Sequence, residues 1–211
     1  MSFYTGAMNS VRLESENIAP SKVVCIGRNY LEHIRELGNE TPDDMVIFNK
    51  PNSSISSRLL AFHEEPLHYE GEICFMLRAG RLHALGFGLD LTRRQLQSRL
   101  KAAALPWERA KAFDGAACFS DFVVLGETPL ESLTLQLEVD GELRQQGGYP
   151  LMMYKPGEIL DGVARFMSLE DGDIIMTGTP SGVGEVRSGE RFVGRVLSGE
   201  HCLVSAEWIA E

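Results

Sequence analysis

The stretch His68–Leu77, HYEGEICFML, places two glutamates two residues apart at the start of an apolar strand. Side chains alternate between the faces of a strand, so Glu70 and Glu72 share a face with Cys74 and Met76. A water-facing side would stay polar, but this one becomes apolar. We therefore expect the two carboxylates where a solvent-filled pocket meets the interior, a position that a cation would stabilise. The alternative is a frayed strand end whose glutamates pair with surface lysine or arginine.

A third carboxylate, Asp90, lies between apolar residues in the strand-like segment GLDL. Three acids with no histidine or cysteine beside them make an oxygen-only donor set, which suits Mg²⁺, Mn²⁺ or Ca²⁺ better than zinc. Three carboxylates leave about three positions open on a six-coordinate Mg²⁺. An open site of this kind fits Lewis-acid catalysis better than a structural ion. The sequence thus predicts one divalent cation per chain, held by Glu70, Glu72 and Asp90.

Two residues on a short predicted helix are candidates for acid–base chemistry. His33 and Glu36 are three positions apart and therefore adjacent on one helical face. A carboxylate that fixes the tautomer of an imidazole makes it a general base able to take a proton from water. A surface ion pair without function is the alternative.

Other polar residues could bind an anionic substrate. Lys111 lies among apolar residues in WERAKAFD and could position or protonate an enolate oxygen, or could extend to the surface. Arg94 and Gln97 are one helical turn apart and could hold a carboxylate, or could be solvated. The Gly-rich segment Thr177–Glu185 follows a strand but lacks the Gly-Lys-Ser/Thr of a phosphate loop. We interpret it as a tight loop whose hydroxyls and amides face the pocket.

Composition restricts the class of protein. The chain has 211 residues, 44% of them hydrophobic and 24% charged, and a formal net charge of −10. An acidic chain is a poor partner for nucleic acid or anionic membranes. No run approaches the roughly 20 apolar residues of a membrane-spanning helix, and the N-terminal segment has no secretory pattern. Four cysteines lie far apart without a paired motif, which predicts reduced thiols in a cytoplasmic protein.

The pattern of segments predicts a mixed α/β, β-rich fold: a mostly antiparallel β-sandwich or roll with a few short helices. Residues 1–20 read as an irregular N-terminal arm and residues 21–211 as a single domain. Asp140-Gly141 marks the clearest hairpin, and Thr92 is a candidate N-cap for the helix that follows it. The predicted helices are 28–38, 92–103 and 157–167, with Gly38-Asn39 as the first stop signal. The predicted strands are 22–27, 45–51, 68–77, 84–91, 134–147 (as a hairpin), 173–178, 191–197 and 202–209.

Taken together, the segments resemble the fumarylacetoacetate hydrolase family, in particular its small acylpyruvase-like members. The matching stretches occur in family order from Lys22 onward: KVVCIGRNYLEHIRELGNE, VIFNKP, HYEGE, GLDLTRRQLQ, PWERAKAFD, VDGELRQQG and LEDGDIIMTGTPSGVG. The resemblance implies the β-rich fold of that family, a homodimer, and Mg²⁺ or Mn²⁺ bound by Glu70, Glu72 and Asp90. It also implies that His33 and Glu36 activate water, and that Lys111, Arg94, Gln97 and Thr179 hold the oxo acid.

The resulting hypothesis is a metal-dependent hydrolase that cleaves a C–C bond of acylpyruvates to give pyruvate and a carboxylic acid. In it, His33 deprotonates the attacking water, and the metal and Lys111 stabilise the pyruvate enolate. One alternative keeps the site and changes the reaction to oxaloacetate decarboxylation or keto-acid tautomerisation. A non-catalytic protein that binds a metal and an oxo acid is a further alternative.

Overall fold

The computed structural model describes residues 8–38 and 40–211. Within these residues the chain forms four α-helices: α1 (Leu31–Glu36), α2 (Arg94–Ala102), α3 (Glu108–Lys111) and α4 (Pro156–Ala164). The strands are β1 (Val11–Leu13), β2 (Glu16–Ile18), β3 (Lys22–Gly27), β4 (Val46–Pro51), β5 (Ile55–Ser56), β6 (Leu67–Tyr69), β7 (Gly71–Arg78), β8 (Arg81–Asp90), β9 (Thr92–Arg93), β10 (Ala117–Phe119), β11 (Val123–Val124), β12 (Leu133–Val139), β13 (Glu142–Gly148), β14 (Ile174–Met176), β15 (Gly184–Glu185), β16 (Arg191–Ser198) and β17 (His201–Ile209).

Two large sheets organise the fold. The first has eight strands in the order β4-β3-β14-β7-β8-β10-β5, with β11 also paired to β8. Its β3–β14 and β5–β10 pairs are parallel, and its other pairs are antiparallel. The second sheet has four antiparallel strands in the order β13-β12-β16-β17. Smaller sheets are formed by β15-β6-β9 and β1-β2. The predicted β-rich, mixed α/β fold with a few short helices is confirmed.

The main core lies between the two large sheets. In β12 every second side chain is buried, as expected of a strand with one face on the core. Leu135 and Leu137 from this strand belong to the same buried cluster as Ile73 and Phe75 of β7. Burial of apolar area at roughly 25 cal/mol per Å² is the main force that holds such a sandwich together. The first sheet is therefore fixed on one face, and Glu70 and Asp90 lie where the paired strands β7 and β8 respectively begin and end.

The opposite face of the first sheet is covered by the N-terminal hairpin. Strands β1 and β2 pair antiparallel, and Val11 and Leu13 are buried in a cluster with Cys74 and Met76 of β7. The expectation of an irregular arm is therefore wrong for residues 11–18, because the two apolar side chains on one face of β1 cover the sheet. Residues 1–7 lie outside the described part of the chain.

Most predicted segments have the expected type. The strands predicted at 22–27, 45–51, 84–91, 191–197 and 202–209 are present as β3, β4, β8, β16 and β17, with small shifts at their ends. The hairpin at Asp140-Gly141 is confirmed, with both residues at positive φ. Two of the predicted helices are shorter than expected, ending at Glu36 and Ala164. Asn39 of the predicted stop signal lies outside the described residues.

The start of α2 differs from the prediction. Thr92 belongs to β9, and Arg93 occupies the N-cap position without a side-chain cap. Instead, the buried Glu65 carboxylate accepts hydrogen bonds from the amides of Gln95 and Leu96, at 2.8 and 3.1 Å. A carboxylate near the helix start satisfies unpaired amides and interacts favourably with the helix dipole. The cap thus comes from a residue 30 positions away, which local sequence could not indicate.

Two further observations concern the cysteines and the helices. Cys25, Cys74 and Cys118 are buried and Cys202 is exposed, and all four are free thiols. None of the helices in the described part of the chain combines the length and apolar character that a membrane span requires.

Candidate active site

The three predicted metal ligands lie together where the neighbouring strands β7 and β8 of the first sheet respectively begin and end. The β7–β8 ladder pairs Glu72 with Gly88, and the amide of Asp90 donates to the carbonyl of Glu70 at 2.8 Å. One carboxylate oxygen from each acid lies within 4.8 Å of the others, and all three side chains are buried. We call Glu70, Glu72 and Asp90 the carboxylate triad. The spacing recognised in sequence thus becomes a compact cluster of oxygen donors.

Three cations surround the carboxylate triad. The ammonium of Lys111 lies 2.9 Å from Glu70 and 2.7 Å from Asp90, and it also donates to Thr92 Oγ1 at 2.6 Å. Lys50 is fully buried, with its Nζ 2.7 Å from Asp90. Charges removed from water require such partners, since an isolated buried charge would be very costly.

The guanidinium of Arg94 pairs with Glu70 and donates to Gln97 at 2.8 Å. These three cationic side chains form four ion pairs with the triad, and all four are with Glu70 or Asp90. Glu72 has no cationic side chain within salt-bridge distance in the described part of the chain.

This uneven arrangement separates the pKa values of the glutamates. Burial alone would raise the pKa of Glu70, but the charges of Lys111, Arg94 and His33 outweigh it and hold that pKa well below its usual value. Burial and the charges of Asp90 and Glu70 raise the pKa of Glu72 well above its usual value. Glu72 is therefore the member of the triad that a further cation would stabilise most.

The loop after β14 contributes a backbone donor to the triad. The amide of Gly178 donates to the Glu72 carboxylate at 2.6 Å. Gly178 has φ +95°, and a Cβ there would lie 3.0 Å from the carbonyl oxygen of Ile26 and 2.8 Å from the Cβ of Asn29. Glycine is required because the loop must approach β3 closely in a left-handed conformation. This part of the Gly-rich segment does face the site, as the sequence predicts.

The His33–Glu36 pair forms on α1 as the spacing predicts. Nδ1 of His33 lies 3.2 Å from Glu36 Oε2, and the other Glu36 oxygen accepts from the amide of Gly182 at 2.9 Å. His33 is buried, whereas Glu36 is partly exposed. A carboxylate at Nδ1 leaves the second ring nitrogen free of this contact and able to exchange a proton.

The cleft beside the triad brings most of the predicted site residues together. His33, Glu70, Arg94, Gln97 and Lys111 all line it. The cleft is partly open to solvent and encloses about 350 Å³ of space not filled by protein atoms, including that open solvent.

Thr179 occupies a different position from the other predicted substrate ligands. Its hydroxyl donates to the carbonyl of Gly71 at 2.9 Å and accepts from Gln145 Nε2 at 2.8 Å. The side chain is buried and is not among the residues that line the cleft. In this conformation Thr179 fixes the backbone between Glu70 and Glu72.

Sequence reasoning missed three buried polar residues around the site. Lys50 was recognised within VIFNKP only as part of a strand, although it neutralises Asp90. Asn29 is fully buried and ties three segments, donating to the carbonyls of Tyr154 and Thr177 at 2.9 and 2.8 Å. Gln145 accepts from the Gly71 amide at 2.8 Å. A lysine within an apolar strand was the one available signal, since the partners of Asn29 and Gln145 are distant in sequence.

The residues present fit a divalent cation. The donors are oxygen atoms from three carboxylates, a set suited to Mg²⁺ or Mn²⁺. They are clustered and buried, and Glu72 has no cationic side chain within salt-bridge distance among the described residues. A doubly charged ion beside Glu72 would supply the missing charge.

This fold and site define a recognised class of protein. Residues 22–209 match the family model described as fumarylacetoacetate (FAA) hydrolase C-terminal. Because the match covers most of the chain, the protein belongs to the fumarylacetoacetate hydrolase family.

The chain is similar in sequence to individual members of this family and in structure to solved proteins. The chain is 37% identical over 189 residues to the oxaloacetate tautomerase YcgM of Escherichia coli K12, covering 82% of this chain and 86% of that protein. It is 34% identical over 205 residues to the mitochondrial oxaloacetate tautomerase FAHD1 of Homo sapiens, covering 90% and 91%. Among solved structures, the fumarylpyruvate hydrolase of Pseudomonas aeruginosa in complex with Mn²⁺ and pyruvate has a TM-score of 0.85 at 29% identity. That match covers 99% of each chain.

Proposed function

We propose that the protein is a divalent-metal-dependent enzyme that interconverts the enol and keto forms of oxaloacetate or a closely related oxo acid. The observation that carries the proposal is that His33, Lys111 and Glu70 line one cleft. A proton acceptor, a proton donor and a metal ligand then face the same bound molecule. The names of the tautomerase relatives support this reaction over the hydrolysis expected from the family resemblance.

The proposed reaction begins with binding of the substrate carboxylate. Arg94 and Gln97 lie one turn apart and already contact each other. Both line the cleft, and the first turn of their helix is fixed by Glu65. An arginine fork matches the geometry of a carboxylate. These two residues orient the acid so that its carbonyl lies near the carboxylate triad.

Proton transfer is assigned to His33 and Lys111. His33, oriented by Glu36, takes the proton from the carbon between the two carbonyl groups. The C–H electron pair becomes the C=C bond, and the carbonyl oxygen accepts a proton from Lys111, whose hydrogen bond to Thr92 is exchanged for one to the substrate. The reverse sequence, starting from protonated His33 and neutral Lys111, returns the keto form. Between turnovers in either direction, exchange of one proton at each residue with water restores the starting state. When bound to the triad, Mg²⁺ or Mn²⁺ supplies positive charge that stabilises the negative charge developing on the substrate oxygen.

Acylpyruvate hydrolysis is the second candidate function. The chain of contacts from His33 through Glu36 to Gly182 favours it, because an imidazole held in this way suits proton removal from water. The likeness to a fumarylpyruvate hydrolase adds support. In this reaction, water loses a proton to His33 and adds to the distal acyl carbonyl, and the C–C bond breaks. The enolate of pyruvate that leaves is then protonated.

The deciding experiment uses protein stripped with EDTA, with and without added Mg²⁺ or Mn²⁺. We expect metal-dependent decay of enol-oxaloacetate absorbance without release of pyruvate. Pyruvate from acetylpyruvate would move the assignment to the hydrolase, and pyruvate from oxaloacetate would move it to a decarboxylase. His33→Ala is the matched variant, since it removes the proposed base and leaves the triad in place. Metal binding without turnover of either substrate would contradict both catalytic readings.

A further inference from the structure

The residues at the floor of the cleft are buried, and those at its rim are partly exposed. Glu70 and Lys111 at the floor are buried, whereas Arg28, Lys101 and Trp107 on the same cleft wall are partly exposed. The floor holds the groups assigned to the reaction. The rim is therefore where the part of a substrate that points away from the reacting carbons would lie.

Arg28 is held at the rim in a strained conformation. Its φ is +56°, a left-handed geometry that residues with a side chain rarely adopt. The neighbouring Asn29 fixes it there through three hydrogen bonds to residues of other segments. Nε of Arg28 is buried and has no hydrogen-bond partner among the described residues. Such strain with an unsatisfied donor is characteristic of a binding position.

Arg28 and Lys101 converge on one aromatic ring. The Arg28 guanidinium carbon lies 5.9 Å from the centroid of Trp107, and the Lys101 ammonium lies 5.7 Å from it. Burial and then the charges of Arg28 and Arg94 lower the pKa of Lys101, which shows that these cations repel one another. The chain as a whole carries a net charge of −10. A local group of cations in an acidic protein attracts an anion to this rim.

We propose that Arg28 and Lys101, packed against Trp107, form a subsite for the second carboxylate of a dicarboxylic oxo acid. This inference rests on the proposed function, since it assumes that the first carboxylate and the reacting carbonyl lie at the floor. The subsite makes the enzyme selective for dianionic substrates. Oxo acids of the same length with an uncharged distal end lack the group that the rim recognises.

The test compares two substrates that differ in distal charge: oxaloacetate and its 4-ethyl ester. The variants are Arg28→Gln and Lys101→Gln. Arg99→Gln is the matched control, because Arg99 lies on the same helix but is exposed. The measured quantity is the ratio of kcat/KM for the diacid to kcat/KM for the ester. Hydrogen bonds to charged groups contribute about 1.5–3 kcal/mol, so we expect each rim variant to lower this ratio roughly ten- to a hundredfold.

The ratio in the three variants decides whether the rim forms this subsite. A ratio that falls in both rim variants and stays unchanged in Arg99→Gln supports the subsite. Equal losses for the two substrates, or an unchanged ratio in both rim variants, would overturn it.

A further measurement separates this proposal from the proposed function. If the wild-type protein converts neither substrate, the proposed function fails. Calorimetric titration of the Mg²⁺-loaded protein with succinate and with butyrate then tests the subsite alone. Succinate binding at least tenfold tighter than butyrate, with the advantage lost in Arg28→Gln, supports it. Equal binding of the two acids overturns it.

Discussion

The amide of Gly182 donates a 2.9 Å hydrogen bond to the Glu36 carboxylate across 146 residues of the chain. The same carboxylate contacts Nδ1 of His33. The loop that also carries Gly178 therefore fixes both the orientation of the proposed base and the position of Glu72. The groups proposed for acid–base chemistry and for metal binding are thus aligned by one segment of backbone.

Glu36→Gln tests this alignment. Removing the charge while keeping a similar shape should lower kcat about 10- to 100-fold, the usual effect of losing a carboxylate that orients a histidine. KM should change little, because Glu36 does not line the cleft. Steady-state kinetics on the active substrate measures both constants. Glu32→Gln, on the exposed side of the same helix, serves as control, and an equal fall in kcat there would refute the assignment.

Lys111→Gln should destabilise the metal-free protein. Breaking a buried ion pair costs about 3–5 kcal/mol, which corresponds to a fall in Tm on the order of 10 °C for a chain of this size. Added Mg²⁺ or Mn²⁺ should raise Tm more in the variant than in the wild type, because the ion replaces the lost positive charge.

Thermal unfolding with and without metal gives both values for Lys111→Gln. The control Arg35→Gln breaks an exposed ion pair and should alter stability by less than about 1 kcal/mol. A variant as stable as the wild type without metal would show that Lys111 does not neutralise the triad.

Gly178→Ala should weaken metal binding at least about tenfold, since the added Cβ displaces the amide that holds Glu72 and strains a left-handed residue. Calorimetric titration with Mn²⁺ measures the change. Gly157→Ala provides the comparison, because a Cβ at that helical position meets no atom within 4 Å. Unchanged affinity in Gly178→Ala would mean that the loop does not position the ligand.

Asp173 provides a prediction about pH. Its buried carboxylate accepts hydrogen bonds from Ser21 at 2.7 Å, from the amide of Glu170 at 2.9 Å, and from Lys22. Burial would raise the pKa of Asp173, but the hydrogen bonds from Lys22, Glu170 and Ser21 lower it below its usual value. Because the folded-state pKa is depressed, the stabilisation is fully present above the unfolded pKa of about 3.9 and is lost as pH falls through the folded value.

Asp173→Asn should therefore cost about 1–3 kcal/mol at neutral pH, and the difference from the wild type should shrink below about pH 4. Urea unfolding at several pH values measures it. Asp121→Asn, which affects an exposed ion pair, should show little change at any pH. A difference that persists unchanged in strong acid would contradict the assigned cause.

The sequence was informative where function depends on short spacing. Glu70 and Glu72 are two residues apart on a strand, and His33 and Glu36 are three apart on a helix, so local periodicity alone places each pair together. Asp90 could be added because a carboxylate among apolar strand residues is unusual. The Asp140-Gly141 pair likewise indicated the hairpin at residues 134–147.

The sequence was uninformative where a contact joins distant segments. Glu65 caps a helix 30 positions away, and Asn29 bonds to Tyr154 and Thr177, so no local pattern reports them. The hairpin at residues 11–18 was missed because two apolar residues on a three-residue strand are too few to show periodicity. Tertiary burial, which sequence does not display, determines these features.

Gln145 links the docking of the two large sheets to the geometry of the candidate active site. It belongs to the second sheet, yet its side-chain oxygen accepts from Gly71 and its nitrogen donates to Thr179 and to the carbonyl of Pro180, each at 2.8 Å. The segments around Glu70 and Glu72 reach their final positions when both sheets have docked. During refolding, the uptake of a divalent ion at this site would report that last docking step, later than the appearance of strand structure in either sheet.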